Sequence, residues 1–262
     1  MEAIKINVDQ ESLAETVLRL ALDVGEGMLK NGGEVSRVEN TIERICRAWG
    51  AVHVEVFSII SVINATVHMS DGTRSSQMRR IRATGTDMYK LELLNELSRE
   101  ICLGKLSRQA VEARIKEIKR ASAYPRLVTV PASAVAASAF AVFFGGGLAE
   151  AVVALFIGAL LGMIDLLAAG HVNDLAKTVV SAFVAGILSF AAALLVSGAG
   201  SGIIMIGTIM LLVPGVAFGT ALRDLLCGDL IAGGLKTLQS ILTALMIAFG
   251  YLLSMAVMGG AL

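Results

Sequence analysis

The chain has little of what builds disulfide frameworks, metal centres or polyanion grips. Its three cysteines (Cys46, Cys102, Cys227) and three histidines (His53, His68, His171) are scattered. No cysteine pair has CxxC spacing and the count is odd, so neither a disulfide framework nor a zinc site is expected, and nothing calls for a cofactor. Lys and Arg number 22 against 22 Asp and Glu, so the net charge is zero. That balance excludes a grip on the phosphate backbone as the main activity, and no nucleic-acid partner is expected. Met1–Asn7 has neither a basic start nor an apolar run. It does not read as a secretory signal, which leaves the first half on the cytoplasmic side. Catalytic signatures are missing too. Gly25-x-Gly27 and Gly32-Gly33 have no strand before them and no Gly-Lys-Ser/Thr after, so they are not a phosphate loop. There is no Gly-x-Ser-x-Gly elbow. The chain is not read as an enzyme.

What is present is apolar surface. Of 262 residues, 55% are hydrophobic and 17% charged, with a mean hydropathy of +0.74. That is too apolar for an ordinary soluble domain. The average hides a division. Residues 1–126 hold 19 basic and 17 acidic residues, whereas 127–262 hold 3 and 5. The pattern predicts a cytoplasmic α+β domain over 1–122 and a transmembrane helical domain over 123–262.

In the first part, Leu13, Val17, Leu20, Val24 and Met28 recur at helical spacing over 12–30, with Ser12 and Glu15 placed for a capping box. Asn31-Gly32-Gly33 ends that helix, and a second follows over about 34–48. The period then drops to two at Val52, Val54 and Val56, and the β-rich run continues through Ile63–Met69. Asp71-Gly72 signals a hairpin, returning over Thr73–Arg82. Helices over about 86–103 and 107–121 complete an α+β order. The cluster Arg74, Arg79, Arg80 and Arg82 reads either as a face for anionic lipid or a substrate anion, or as a solvated strand face.

After Tyr124-Pro125-Arg126 come apolar runs at about 127–144, 148–169, 175–197, 202–222 and 238–258. Each is near the ~20 residues a helix needs to cross the hydrocarbon core. About five transmembrane helices are therefore expected, because in lipid the backbone must satisfy itself. Basic residues flank the first span, sit at Lys177, and recur at Arg223 and Lys236, while the links 145–147 and 198–202 carry none. The N-terminal domain is thus expected inside and the tail from Met258 outside. Gly158-x-x-x-Gly162 and Ala182-x-x-x-Gly186 suit close helix packing.

Ionisable groups in or beside a span are costly and so become functional candidates: Glu150, Asp165 and Lys177. Asp165 and Lys177 are placed to pair across the polar break at 170–174, and interfacial snorkelling explains each equally well. The richest region is Leu211-Leu212-Val213-Pro214-Gly215, followed by Arg223-Asp224 and Gly228-Asp229. Pro214 breaks a helix, Gly215 loosens it, and a discontinuous helix frees backbone groups that can hold a solute. Arg223 suits a carboxylate; Asp224 or Asp229 suits a proton or an ammonium group. A plain kink followed by an internally paired cytoplasmic loop is the competing reading.

Leu212-Val213-Pro214-Gly215, Arg223-Asp224 and Gly228-Asp229, together with Asn31-Gly32-Gly33-Glu34, Arg37-Val38-Glu39 and Phe140-x-x-x-Phe144-Gly145-Gly146 ahead of Glu150, resemble the threonine/serine exporter family across nearly the whole chain. The resemblance implies a multi-pass protein of the cell membrane that exports threonine and serine, driven by the proton-motive force. Long members have twice as many spans, so this chain is similar to their N-terminal module. A homo-oligomer or a second small multi-span membrane protein is implied as partner. A related two-protein form is implicated in succinate export, which makes a dicarboxylate the second substrate class. Pro214, Gly215, Arg223, Asp224, Gly228 and Asp229 are the motif positions. For proton coupling, Asp224, Asp229, Glu150 and Asp165 are the acids available. A different class of reading makes the bundle an anchor for a cytosolic sensor or enzyme domain.

Overall fold

The computed structural model describes residues 12–121, 124–168 and 172–258. Met1–Asn7, His171 and residues 259–262, on which the signal, histidine and outer-tail expectations bear, lie outside them. Among the described residues there are ten helices and one three-stranded sheet. The chain divides into two compact units. Unit 1 comprises Met1–Ala123 with Val216–Thr237, and unit 2 comprises Tyr124–Gly215 with Leu238–Leu262.

Unit 1 opens with α1 (Leu13–Lys30) and α2 (Val35–Ala48). The capping box forms as expected: Ser12 Oγ accepts from the Glu15 amide, and Glu15 accepts from the Ser12 amide. β1 (Ala51–Ile59), β2 (Val62–Met69) and β3 (Arg74–Arg80) follow as an antiparallel meander in the order β1-β2-β3. Val54 pairs with Val67 and Val67 with Ser75, all facing inward, while Phe57, Asn64 and Met78 line up on the outer face. The turn between β1 and β2 is Ile60-Ser61, which has neither glycine nor asparagine, so the alternation runs through it with no sequence mark.

Then come α3 (Met88–Cys102) and α4 (Arg108–Arg120). Leu18, Leu22, Met28, Ile42, Ile45, Ile63, Leu97 and Ile101 fill one core, each side chain contributing about 1.5–3 kcal/mol on burial. Cys46 lies in it, and burial pushes its thiol up to about 12, so it behaves as a small hydrophobe. Gly25 and Gly27 are packing positions. A Cβ on either would run into Ile42 or Leu94.

In unit 2, α5 (Arg126–Phe143), α6 (Leu148–Ala168), α7 (Asp174–Leu195) and α8 (Ser201–Ile209) pack with the later part of α10 (Leu230–Met258). Among the described residues, three helices are long and apolar enough to cross a membrane: α6, α7 and α10. Val128–Phe143 is a shorter apolar stretch.

Small residues set the packing. A Cβ on Gly158 would lie 2.6 Å from Ala137 Cβ and 2.7 Å from the Ser133 carbonyl, and one on Gly250 would lie 2.6 Å from the Val179 carbonyl. These helices approach backbone to backbone, as the small-xxx-small spacing suggested.

The region expected as one span over 202–222 is two helices. α8 stops at Ile209, Met210–Val213 form turns, and α9 (Gly215–Leu226) starts after Pro214. Pro214 has no amide to donate, its ring excludes a helical residue four places back, and it pushes Val213 out of the helical region. The nine residues of α8 rise only about 13 Å. The segment after Arg223, expected as a loop up to residue 237, is also helical: α10 starts at Leu230. The short turn that joins α9 to α10 belongs to the candidate site.

Candidate functional site

Three stretches of unit 1 build the site: the α1–α2 turn, α9, and the first two turns of α10. The α9–α10 turn is a Schellman motif. The Gly228 amide donates to the Leu225 carbonyl (3.1 Å) and the Asp229 amide to the Asp224 carbonyl (2.9 Å), with Gly228 at φ +95°. That left-handed residue must be glycine for the chain to reverse without strain. Gly233 then lets α10 lie against α9, since a Cβ there would be 2.9 Å from the Ala221 carbonyl.

On the other side, Gly33 closes the α1–α2 turn tightly, with no room for a Cβ beside the Met28 carbonyl (2.8 Å). Helix α2 begins without help from its own sequence. Glu34, its N-cap, makes no side-chain capping bond, and there is no acid in its first turn. A helix start leaves free amides and a partial positive charge. Asp224, 189 positions away, supplies what is missing: its Oδ1 accepts from the Val35 amide at 3.1 Å. Its Oδ2 accepts from Lys236 Nζ at 2.6 Å, and Lys236 also donates to the Gly33 carbonyl at 3.1 Å. Asp224 is 1% exposed and the Lys236 side chain 13%. Beside this buried pair, Arg223 Nη1 lies 2.9 Å from Glu34 Oε1, with the arginine side chain 66% exposed.

Asp229 sits one turn on. Its Oδ2 is buried and has no hydrogen-bond partner among the described residues. The nearby half-buried Glu39 accepts at one oxygen from both the amide (2.6 Å) and the hydroxyl (3.0 Å) of Ser58. Burial raises the Glu39 carboxyl above its ordinary range, and the negative charge of Asp229 adds to the rise, against the lowering effect of Ser58.

The other nominated residues lie in unit 2 with partners of their own. Glu150 is buried; its Oε2 accepts from the Gly147 amide (2.9 Å) and its Oε1 from the Gly200 amide (3.0 Å), tying two glycine links together. Lys177 Nζ lies 2.6 Å from Asp165 and 3.5 Å from Asp174, so the expected pair across the polar break is made. Of the basic strand cluster, Arg79 leans on Asp23 and Glu26 at 3.9 Å, while Arg74, Arg80 and Arg82 are exposed. Pro214 and Gly215 start α9 and bring no side-chain chemistry.

Two features escaped the sequence reading. Lys236 reaches Asp224 because a helical elbow brings residues 12 apart together, and the expected loop concealed that spacing. In unit 2, Thr208 Oγ1 and Tyr251 Oη meet at 3.2 Å in a buried contact; a tyrosine within the apolar run over 238–258 was the available signal. Among the described residues no group of three or more His, Cys, Asp or Glu side chains is placed to hold a metal ion.

Membrane-length helices packed through small residues, together with a buried ion pair at the root of the last one, define a multi-helix membrane protein. The family model described as "Putative threonine/serine exporter" (ThrE) matches residues 19–258, and the chain belongs to that family. No curated protein and no solved structure matches it.

Proposed function

We propose that the chain is a subunit of a cell-membrane transporter that exports small carboxylate-bearing solutes, with threonine and serine as the leading substrates and the proton-motive force as the driving gradient. The observation that carries this reading is that the family match runs through both charged motifs and the membrane-length helices at once. The domain over 1–122 is cytoplasmic in this reading, and the membrane domain over 123–262 crosses five times. In this reading the C-terminus lies outside. Asp229 is the favoured contact for a solute ammonium or hydroxyl, because its buried carboxylate oxygen Oδ2 has no donor among the described residues. Export by a homo-oligomer, or together with a second small membrane protein, completes the proposal. Scarce cations in the bundle favour an amino acid over a dicarboxylate.

Efflux from cells preloaded with labelled threonine or labelled succinate tests it, with this chain alone and with each neighbouring small membrane protein. Threonine efflux that Asp224→Asn abolishes, with the variant still in the membrane, is the expected outcome. Succinate efflux dependent on a partner would move the substrate to a dicarboxylate. No efflux of either label in any combination would overturn the reading in favour of an anchored cytosolic domain.

A further inference from the structure

Alternation along β3 gives its arginines two different surroundings. Arg79 points inward and lies 3.9 Å from Asp23 and Glu26, whereas Arg74 and Arg80 point outward, and Arg82 just after the strand is exposed too. None of those three makes an ion pair among the described residues. The register shows what surrounds them. One row of the outer face is Phe57, Asn64 and Met78, and the next is Ile59, Val62 and Arg80. Phe57 is 58% exposed and Met78 67%, in a unit whose core encloses Leu18, Leu22 and Ile42. Among the described residues Glu55 is the one acid on this face, and His53 lies 3.2 Å from it.

Arginines at the rim of exposed apolar side chains match the chemistry of an anionic lipid surface. Guanidinium forks pair with phosphate oxygens, and the apolar groups enter the layer beneath. Protection of an edge strand accounts for charge on β3, but not for Phe57 and Met78, which stand on the face. A second copy of the chain fits the edge poorly. Two β3 strands paired antiparallel about Gln77 would set Arg74 opposite Arg80 at both ends, and like charges directly opposite repel.

The chain beyond the patch leads toward a membrane-length helix. The Gly85 amide donates to the Lys30 carbonyl (2.8 Å), so the segment after Arg82 returns to the α1–α2 turn. The Gly33 carbonyl of that turn accepts from Lys236, which stands on α10 just before its apolar run over 238–258. A bilayer holding that run is a tethered partner for the patch, present at high effective concentration.

We propose that the outer face of the sheet is a docking surface for anionic phospholipid, with Arg80 and Arg82 on the phosphates and Phe57 and Met78 in the interface. The proposal goes beyond the export reading and needs only that the membrane-length helices sit in a bilayer. Docking holds unit 1 against the membrane and makes its position depend on lipid charge.

The test uses the full chain in lipid nanodiscs. Phe57→Trp in a Trp49→Phe background leaves one tryptophan, at the patch. Discs of phosphatidylcholine are compared with discs that also contain phosphatidylglycerol, each with and without brominated acyl chains, which quench a tryptophan at the interface. Quenching should be strong in anionic discs, weaker in zwitterionic ones, and reduced by high salt. Arg80→Gln/Arg82→Gln should lower the docking equilibrium by about thirtyfold, the attraction of two arginines to such a surface. No quenching in anionic discs, or quenching indifferent to lipid charge and to the arginines, overturns the proposal. So does a tryptophan shielded from aqueous acrylamide yet unquenched by brominated lipid, because a protein, such as a second copy, then covers the face.

The wild-type chain gives an independent reading. Relative to the exposed Lys105 in the α3–α4 link, trypsin should cut after Arg82 more slowly in anionic than in zwitterionic discs. Equal relative rates overturn the proposal. Absent efflux with lipid-dependent docking intact refutes the export reading alone. Intact efflux with the patch indifferent to lipid refutes the docking surface alone.

Discussion

The two units invert each other. Unit 1 encloses its large side chains: Leu18, Leu20, Leu22, Met28, Ile42 and Ile63 are fully buried. Unit 2 encloses mainly small ones, with Ala137, Ala141, Ala154, Ala182, Ala185, Ser189 and Ser254 at 0% exposure beside a few large ones such as Ile204, while Phe143 (78%) and Leu195 (84%) face outward. Water drives large apolar groups inward, because each buried methylene removes surface from it. Lipid supplies no such drive, so helices associate through close backbone contact, and small residues occupy the seams. Ion pairs follow the same division. Asp224–Lys236 is enclosed in unit 1, whereas Asp165, the partner of Lys177 in unit 2, is 63% exposed.

The largest expected effect tests the ion pairs. Asp224→Ala leaves Lys236 and the start of α2 without their counter-charge and should destabilise unit 1 by about 3–5 kcal/mol. Asp165→Asn should cost about 0–1 kcal/mol. Denaturant unfolding followed by fluorescence of Trp49, the chain's one tryptophan and a member of unit 1, reads the first. Helical circular dichroism during unfolding in detergent reads the second. Comparable losses in both variants would erase the distinction between an enclosed and an exposed pair.

Core substitutions probe the inversion itself. Ile42→Ala should cost about 2–5 kcal/mol, as for a buried aliphatic side chain in a water-driven core. Phe156→Ala, on the outer surface of unit 2, should fall within about 0.5 kcal/mol. The reverse change discriminates further. Gly158→Val puts atoms where the Ser133 carbonyl and Ala137 already are and should cost about 1–3 kcal/mol, read as a lowered midpoint of helix loss. If Phe156→Ala proved as damaging as Ile42→Ala, unit 2 would have a water-type core after all.

How far the sequence revealed this differs between local and long-range features. Helices α1–α4, the Ser12–Glu15 box and the Asp71-Gly72 hairpin were legible, because period and capping chemistry are written within a few residues. The close packing at Gly158 was legible for the same reason. Where α9 ends and α10 begins was not, since apolar residues run on and only Gly228 marks the reversal. Asp224 was nominated from its charge in an apolar setting. Its actual partners, the Val35 amide and Lys236, follow from a tertiary contact that no spacing rule contains. Arg223 was nominated as a grip for a solute carboxylate; in the structure its guanidinium pairs with Glu34, another contact that no local spacing contains.

The smallest expected effect sets enclosure against exposure within unit 1, between two carboxylates with matched hydrogen bonds. Glu39 accepts from the amide and hydroxyl of Ser58, and Asp71 accepts from the amide and hydroxyl of Thr73, at 2.9 and 2.6 Å. The bonds favour the ionised form in both, yet the shifts are opposite. Asp71 stands in solvent, and Thr73 holds its carboxyl below the usual range. Glu39 is half-buried and faces Asp229, and burial wins over Ser58. The pH dependences must therefore oppose each other. For Glu39, the stability contribution is fully present below about pH 4.5, its unfolded value, and is lost as pH rises through the raised folded value. For Asp71, the contribution is present above about pH 3.8 and is lost as pH falls through the lowered folded value. Glu39→Gln should accordingly flatten the decline in Trp49-monitored stability from pH 4.5 toward neutrality. Asp71→Asn should leave that window unchanged and act only in acid. A Glu39→Gln curve parallel to wild type across the window would mean that Glu39 is solvated like Asp71, and that the acidic wall beside Asp229 is open to water.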